Sequence, residues 1–434
     1  MVTARLKNRS ILLSLTLALG ILMGGVSALF LKLLELVTYT REQHPFLIAF
    51  LPATGMLTAF VYHRFGKNSQ RGNNLIIDSI HRQARVPLRM AALTFAFTIL
   101  THLTGGSVGR EGTAVQVGGT LANKLGGFSR LNEKAKSILV MAGISAGFGS
   151  VFGTPLAGAF FGMEMCFVGK LSYEAMLPCF IASFTANGIT HLTGVTHTAY
   201  AIQVLPEMSL YNIAVVIAAS CIFGFVGRLF AVSVHSIKGL YAKMIKRPVL
   251  RAFAGSLAVL AAMLACNAVK YGGLSTWMIS AGFQGEASLL DPVLKFVMTV
   301  LSLGTGFQGG EVTPLFDIGA SLGGFIGRIA HIEPSLLAAL GLIAVFGCAT
   351  NTPLATIMLG IELFGTGGIP YYIAAALISY YISGHNGIYA SQLIAVSKYH
   401  HLQGHVGQTL GLVGNKSMLG LMQKAKRRRM DSDD

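Results

Sequence analysis

The chain has 434 residues, of which 53% are hydrophobic and only 12% are charged, and its formal net charge is +16. A soluble domain carries roughly 25% charged residues, so this sequence has too few polar side chains to coat a large soluble core. The composition therefore excludes a large soluble enzyme and indicates a polytopic α-helical membrane protein.

The first predicted element is the uncharged segment at residues 11–31, which follows the basic residues Arg5, Lys7 and Arg9. A helix needs about 20 apolar residues to cross the hydrocarbon core of a bilayer, and this segment is long enough. It is long for the core of a signal peptide, and no cleavage site of the small-x-small type stands out. We therefore expect a retained first helix, and the basic residues before it predict a cytoplasmic N-terminus.

Further uncharged segments occur along the chain, at residues 211–227, 252–269 and 335–360. Many other apolar segments are shorter than a full span or are interrupted by glycine and proline. This pattern predicts helices that are broken, tilted or buried within a bundle. In transporters, broken helices expose unpaired backbone groups at mid-membrane, and these groups form the ion site.

Three segments combine a glycine-rich stretch with a helix-forming stretch: residues 71–78, 105–119 and 306–320. Glycine lets the backbone turn sharply and lets an ion approach it. The start of the following helix carries unsatisfied N–H groups and a partial positive charge. Because several such helix ends aimed at one point form an anion site, we predict an anion site where the three segments meet.

Glu111 lies in the second of these segments, within the sequence GGSVGREGTAVQVGG. A carboxylate inside a membrane is costly and usually functional. At a helix N-terminus, an ionised Glu111 is itself an anion that the site would hold, whereas a protonated Glu111 is neutral and would be released. Glu111 is therefore a candidate gate that competes with the substrate anion and responds to protons. The alternative is a capping glutamate paired with Arg110.

The sequence repeats itself after about 200 residues. A shift of 200 positions places Glu111 on Glu311, together with several flanking glycines. A shift of 198 positions aligns residues 143–164 with residues 341–362 at ten positions, which include a shared TPLA sequence. A common apolar composition does not readily produce such a register, so we predict two homologous halves.

We place the first membrane repeat at residues 1–206, the second at residues 207–412 and a basic cytoplasmic tail at residues 413–434. The tail contains the sequence KAKRRR at residues 424–429. Such a cluster can indicate nucleic-acid binding. Beside membrane helices it is better interpreted as a cytoplasmic anchor against anionic lipid, and we expect no nucleic-acid partner.

These motifs are similar to those of the CLC family of chloride channels and anion/proton antiporters. The resemblance rests on GREGT after GGSVG, on GGEVTP, on NTPLA and on the twofold repeat, and it covers roughly residues 10–400. It implies an all-α polytopic membrane fold of the CLC type, with an inverted repeat of many tilted, partly broken helices. It also implies a homodimer with one anion pathway per subunit and with both termini in the cytoplasm. We expect the plasma or inner membrane of a cell of bacterial type.

The resemblance implies roles for the residues of the GREGT motif. Glu111 matches the gating and proton-transfer glutamate of the family, and Thr113 stands where the family usually has proline. The neighbouring Gly109, Arg110 and Gly112 belong to the same anion-binding motif.

Three further segments supply the remaining anion-binding candidates. Asn73, in RGNNLI, stands where chloride-selective members have serine. Val312 and Thr313 lie in GGEVTP, where the valine replaces the usual phenylalanine. Tyr389, in GIYASQ, matches the tyrosine whose hydroxyl faces the anion.

Met165 stands where chloride/proton antiporters carry an inner, cytoplasm-facing proton-transfer glutamate, and Glu164 is its neighbour. Together with Asn73 and Val312, this departure is similar to the fluoride/proton antiporter branch of the family. The resemblance thus implies fluoride export in exchange for protons, with Glu111 itself carrying the proton. A chloride-selective channel or chloride/proton antiporter remains the alternative, because an asparagine can also serve chloride.

The sequence offers little for enzyme chemistry or metal binding. It contains no HExxH motif and no paired-acid motif. The histidines at positions 400, 401 and 405 have no carboxylate or cysteine partner nearby in the sequence, so we expect no metal site there. We expect no enzyme and no cofactor; the expected partners are fluoride or chloride ions, protons, the lipid bilayer and a second copy of the chain.

Overall fold

The computed structural model describes residues 2–129 and 131–414, and its regular structure is almost entirely helical. Within these residues the α-helices are α1 (Val2–Gln43), α2 (Leu51–Phe65), α3 (Asn73–Ile80), α4 (Arg89–Leu103), α5 (Glu111–Phe128), α6 (Glu133–Phe152), α7 (Pro155–Glu164), α8 (Met176–Leu192), α9 (Leu210–Met244), α10 (Pro248–Ala265), α11 (Trp277–Phe283), α12 (Leu290–Thr305), α13 (Val312–Ile329), α14 (Pro334–Thr350), α15 (Pro353–Phe364) and α16 (Ile369–Ile382). Two short strands, β1 (Phe167–Val168) and β2 (Leu393–Ile394), pair in parallel.

Several helical segments are long and apolar enough to cross a membrane. They are Asn8–Gln43, Pro45–Phe65, Glu133–Phe152, Leu210–Met244 and Pro248–Ala265. Large apolar side chains on the outer faces of α1 and α9, such as Leu17, Leu29 and Ile217, are about half exposed. A broad belt of exposed apolar side chains is suited to lipid rather than to water. The predicted all-α polytopic membrane architecture is confirmed.

The centre of the bundle is formed by helices that are buried all round. In α14 every residue from Ser335 to Thr350 is buried, and in α6 every residue from Ile138 to Val151 is buried. A helix that is apolar on every face belongs inside a large core. Because α14 packs against α13 and α6 packs against α5, this core supports the two helices that begin in matched glycine-rich segments.

The aligned segments of the two halves break their helices in the same way. α6 and α7 are separated at Gly153–Thr154, and α14 and α15 at Asn351–Thr352. The residue after the first helix of each pair is left-handed, with φ of 79° at Gly153 and 58° at Asn351. Glycine adopts this conformation freely, and asparagine is one of the few other residues that tolerate it. The proline of the shared TPLA sequence then starts the second helix, where its missing N–H costs nothing.

The helices α7 and α15 run antiparallel, and each ends against the start of the other. Glu164, at the end of α7, accepts hydrogen bonds of 3.3 and 3.0 Å from N–H groups at the start of α15. Glu362, near the end of α15, accepts two bonds of 2.9 Å from N–H groups at the start of α7. This exchange of caps has the twofold symmetry of an inverted repeat, as the resemblance implied.

An irregular segment at residues 193–209 connects α8 to α9. The predicted limit between the repeats, after residue 206, falls in this segment and remains a prediction. Of the predicted basic tail at residues 413–434, residues 415–434 lie outside the described residues.

Candidate anion site

Two glycine-rich loops meet inside the bundle through their backbones. The N–H of Gly109 donates to the carbonyl of Gly310 at 2.6 Å, and the N–H of Gly310 donates to the carbonyl of Gly109 at 2.7 Å. The helices α5 and α13 each begin two residues after the glycine of this bridge. The bridge therefore places the N-termini of the two matched helices side by side.

The bridge requires glycine on both sides because the backbones approach too closely for a side chain. A Cβ atom on Gly310 would lie 2.6 Å from the backbone nitrogen of Gly112. A Cβ atom on Gly109 would lie 2.9 Å from Cδ of Pro314 and 3.0 Å from the backbone nitrogen of Thr313. The glycines predicted to let an anion approach also let the two helix starts approach each other.

The side chain of Glu111 reaches across to the start of α13 and is fully buried. Its Oε2 atom accepts a hydrogen bond of 2.5 Å from the Thr313 hydroxyl and one of 3.1 Å from the Thr313 N–H. The carboxylate thus lies at the positive end of α13, where free N–H groups favour negative charge. An anion bound in the same place would use the same donors.

Arg110 is the other partner of this carboxylate. Its Nε atom donates to Oε1 of Glu111 at 3.3 Å, and its side chain is 23% exposed. The pairing with Arg110 that the sequence offered as an alternative is therefore present together with the contacts to Thr313. Because the bonds to Thr313 are shorter, Thr313 is the main anchor of the carboxylate. The positive charge of Arg110 also favours anions at this point.

Asn73 is the first residue of α3, and it is buried. Gly72, just before it, has a φ of 56° and a ψ of −135°, a conformation that favours glycine. A Cβ atom on Gly112 would lie 3.3 Å from Nδ2 of Asn73, so α3 begins beside the start of α5. Among the described residues, Oδ1 of Asn73 has no hydrogen-bond partner. The three predicted helix starts are therefore brought together.

Tyr389 lies in the irregular segment after α16, and its side chain is fully buried. The preceding Ile388 N–H donates to the carbonyl of Ala349 at the end of α14, at 2.9 Å. The N–H of Ser391 donates to the side chain of Asn74 in α3, also at 2.9 Å. These anchors fix the position of Tyr389, and its hydroxyl has no hydrogen-bond partner within the described residues.

Val312 and Gly112 can contribute only backbone groups. The side chain of Val312 is part of the apolar core and is 1% exposed. Gly112 lies against the Cα atom of Gly310, where a Cβ atom would be 2.8 Å away. Their predicted part in anion binding is therefore limited to their N–H groups.

Met165 directly follows α7, in a segment held by structural contacts. The Met165 side chain is fully buried, and its carbonyl accepts a hydrogen bond of 2.8 Å from the side chain of Gln392. The adjacent Glu164 is engaged as the cap of α15. Glu164 is therefore committed to a structural contact beside Met165.

A second carboxylate borders the site. Glu311 is the residue before α13, and its Oε2 atom would lie 3.6 Å from a Cβ atom on Gly112. That buried oxygen has no hydrogen-bond partner among the described residues. The matched positions 111 and 311 therefore have different surroundings, and only Glu111 is bound by Thr313.

Sequence reasoning missed several residues that shape this region. Asn74 and Gln392 hold the segment of Tyr389 in place, and no local pattern marks them. It also missed Lys295 and Asp317, which form an ion pair inside the bundle. Their signal was present, since each places a charge in the interior of a mostly apolar helix, which is costly in a membrane.

The chain matches the family model described as voltage gated chloride channel over residues 54–384. A relative from Pseudomonas syringae pv. tomato, named chloride/fluoride channel protein, is 45% identical over 395 residues, which cover 89% of this chain and 87% of the relative. A relative from Vibrio cholerae, named H(+)/Cl(−) exchange transporter ClcA, is 26% identical over 383 residues and 81% of each chain.

Solved structures show the same likeness. The crystal structure of a CLC-type fluoride/proton antiporter has a TM-score of 0.86 and 37% identity, and the match covers 88% of this chain and 98% of that one. A slow cyanobacterial Cl−/H+ antiporter has a TM-score of 0.75 at 16% identity, covering 94% of this chain and 98% of that one. The second likeness concerns the fold alone.

Proposed function

Because the chain belongs to the voltage gated chloride channel (CLC) family, we propose that it is a proton-coupled antiporter that exports fluoride. Members of this family are transporters or channels, so the chain is a multi-pass membrane protein for anion transport and not an enzyme. The proposal depends above all on the Glu111 carboxylate, which binds Thr313 at the start of α13 as a bound anion would.

The choice of fluoride is supported by the donors near this carboxylate. Fluoride is small and strongly hydrated, so a site must replace its water with good hydrogen-bond donors. The Thr313 and Tyr389 hydroxyls, the Asn73 amide and the backbone N–H groups at the helix starts are such donors. The Pseudomonas syringae relative is named for both chloride and fluoride, and the solved structure at 37% identity is a fluoride/proton antiporter.

Exchange follows from competition between Glu111 and fluoride for the same donors. An ionised Glu111 holds the Thr313 donors and keeps fluoride out. A protonated Glu111 loses its charge, and with it most of its hold on those donors, since bonds to a charged acceptor are the stronger ones. Fluoride then binds, and it is displaced when Glu111 gives up its proton and returns. The ionised Glu111 carboxylate and fluoride thus occupy the same donors in turn.

Glu111 has to carry the proton along the whole inner path. Met165 has no titratable group, and Glu164 beside it caps α15. We place proton uptake by Glu111 on the outer side and its release toward the cytoplasm near Thr313 and Tyr389. Fluoride moves outward in exchange.

The assembly and orientation are part of the same proposal. We propose a homodimer with one pathway per subunit in a bacterial inner membrane. The basic residues before the first apolar segment favour a cytoplasmic N-terminus, and the repeats at residues 1–206 and 207–412 would then have opposite orientations. The region that follows them would also be cytoplasmic.

Purified protein in liposomes tests the proposal. Liposomes are loaded with equal fluoride and chloride, and the efflux of each ion is recorded with the external pH, using protein-free liposomes as the control. We expect fluoride efflux to drive proton uptake, with chloride efflux much slower. Fast chloride efflux without proton movement would show a chloride channel and would contradict the proposal.

A further inference from the structure

A basic cleft opens at one end of the bundle, where α3, α5 and α6 meet. Its volume is about 860 Å³, which is in the size range of sites for small organic ligands. Four basic side chains line it: Arg82 and Arg85 after α3, Lys124 in α5 and Lys136 in α6. Among the described residues, Glu133 is the only acidic one in this lining. The basic cleft therefore carries an excess of positive charge, which favours an anionic ligand.

Most of this positive charge has no counter-charge within the described protein. Nζ of Lys136 pairs with Oε1 of Glu133 at 2.7 Å. Across residues 2–129 and 131–414, no carboxylate lies within salt-bridge distance of Arg82, Arg85 or Lys124. Three cations are therefore available to a bound anion, and arginine binds phosphate with two parallel hydrogen bonds.

Arg82 occupies a backbone position that usually belongs to glycine. The helix α3 ends in the two hydrogen bonds of a Schellman motif. The N–H of Arg82 donates to the carbonyl of Ser79 at 3.2 Å, and the N–H of Gln83 donates to the carbonyl of Asp78 at 2.8 Å. Arg82 has a φ of 61°, a left-handed conformation that suits glycine and strains arginine. Strained residues cluster at binding sites, so the arginine here is better explained by its side chain than by the turn.

The walls of the basic cleft are joined to each other. The hydroxyl of Ser137, in α6, donates to the carbonyl of Ile80, at the end of α3, at 3.0 Å, and α5 packs along α6. The helix dipoles do not account for the lysines. Lys136 lies near the start of α6, where the dipole disfavours a positive charge, and Lys124 precedes the last turn of α5.

The basic cleft lies on the side of the membrane where α1 begins. The ends of α1 and α4 lie together, since the Arg41 guanidinium in the last turn of α1 donates to the carbonyl of His102 in the last turn of α4 at 3.2 Å. The helix α4 has 15 residues and a length of about 22 Å, so its start lies toward the opposite side. Residues 82–86 of the cleft come just before that start. In the proposed orientation of α1, this side is cytoplasmic.

Apolar side chains border the basic cleft. Phe128, at the end of α5, lines it and is 76% exposed, and its ring centre lies 4.3 Å from Nζ of Lys124. Leu88, at the start of α4, is 49% exposed. Exposed apolar and basic side chains side by side are typical of the boundary between the hydrocarbon core and the lipid headgroups. A ligand in the basic cleft would therefore meet a charged and an apolar surface together.

We propose that the basic cleft binds the phosphate headgroup of an anionic phospholipid from the leaflet on this side. Basic pockets between membrane helices bind such headgroups. A free phosphate offers the same charge, but it has no acyl chain for Phe128 and Leu88, and it is small for a cleft of this volume. The competing explanation is that the basic residues only fix the orientation of the helices, which requires charge on this side but no cleft.

The end of α9 offers matched charges outside the basic cleft. Lys243 and Lys246 are exposed there. They lie on the same side, because a surface groove joins the start of α10, just after Lys246, to the end of α2. The end of α2 in turn meets the start of α4, where Arg89 donates to the carbonyl of Phe65 at 2.6 Å. The double variant Lys243→Gln, Lys246→Gln therefore removes two charges from this side and leaves the cleft intact.

The test uses purified protein in neutral detergent with equal amounts of phosphatidylglycerol and phosphatidylcholine. Native mass spectrometry counts each lipid retained per chain over a series of lipid concentrations. Wild type is compared with the cleft variant Arg82→Gln, Arg85→Gln and with the control variant Lys243→Gln, Lys246→Gln. A second series adds a large excess of inorganic phosphate. No step depends on transport, so failure of the proposed fluoride exchange would not affect the result.

We expect wild type to retain phosphatidylglycerol in preference to phosphatidylcholine. The cleft variant should need about tenfold more phosphatidylglycerol for half occupancy, because each basic residue near a membrane surface contributes roughly fivefold to the affinity for anionic lipid. The control variant should match wild type. Inorganic phosphate should leave the retained lipid in place.

Equal retention of the two lipids by wild type would overturn the proposal. Equal loss of phosphatidylglycerol in the cleft and control variants would also overturn it, since the attraction would then come from surface charge in general. Displacement of the lipid by inorganic phosphate would show a site for free phosphate instead. If the cleft variant does not fold, Lys124→Gln is measured by the same criteria, and wild-type retention in that variant would overturn the proposal.

Discussion

At the scale of the residue, the site depends on a shared set of donors. The Glu111 carboxylate takes both the hydroxyl and the N–H of Thr313, so that any anion at the start of α13 meets the same two groups. A hydrogen bond to a charged acceptor contributes about 1.5–3 kcal/mol. The loss of one such donor should therefore change the free energy of anion binding by a measurable amount.

Replacing Thr313 with valine removes the hydroxyl and keeps the volume and the N–H. We expect fluoride binding to weaken by about 1.5–3 kcal/mol, which is tenfold or more. Thr313→Ser keeps the hydroxyl and should bind fluoride nearly as wild type does. Titration calorimetry with fluoride measures both in the Glu111→Gln background, where no ionised carboxylate competes for the hydroxyl. An unchanged affinity of Thr313→Val there would mean that the hydroxyl does not serve the anion.

Single residues differ in how far the sequence could predict them. Glu111 was identifiable because a carboxylate in a glycine-rich apolar segment is costly and has few structural reasons to be there. Its bond to Thr313 was not, since it spans 202 positions of the chain. Lys295 and Asp317 were visible as isolated charges, but their pairing depends on how α12 packs against α13.

At the scale of the element, the sequence predicted helices better than their ends. The uncharged segment at residues 335–360 has the length of one membrane span. It forms parts of two helices, α14 and α15, which break at Asn351–Thr352. The break follows from the left-handed asparagine and from a proline that cannot continue the ladder. The segment at residues 211–227 is, by contrast, only part of the 35-residue helix α9.

The reciprocal caps of α7 and α15 were not predictable from either half alone. The alignment of the halves matched Glu164 with Glu362, but it carried no information on which helix start each one meets. Capping requires the two helices to lie antiparallel, and that depends on the inversion of the repeats. The two carboxylates satisfy four N–H groups that would otherwise be unpaired inside the bundle.

Glu164→Gln should destabilise the protein by about 1–3 kcal/mol, because one oxygen of the cap is replaced by a donor that faces an N–H group. Glu362→Gln should have a similar effect. The control is Glu35→Gln on the exposed face of α1, which should be neutral. Thermal unfolding of the purified protein in detergent measures all three, and unchanged stability in both cap variants would refute this account of the helix pair.

At the scale of the whole molecule, two homologous halves meet around one set of helix starts. The repeat and the glycine-rich segments were enough to predict that meeting place. The sequence could not show which apolar helices face lipid. α14 is as apolar as a membrane span, yet all of its residues after Pro334 are buried, while α1 and α9 present exposed leucine and isoleucine. Burial depends on packing between distant helices, and composition does not record it.

The central claim is that Glu111 couples protons to fluoride, and one measurement tests it most directly. Liposomes containing wild type, Glu111→Gln or the control Glu35→Gln are given an outward fluoride gradient at equal pH on both sides. We predict that liposomes with wild type or the control take up protons even as the uptake makes their interior more acidic than the outside. Liposomes with Glu111→Gln should take up none. Proton uptake by Glu111→Gln at the wild-type rate would contradict the account.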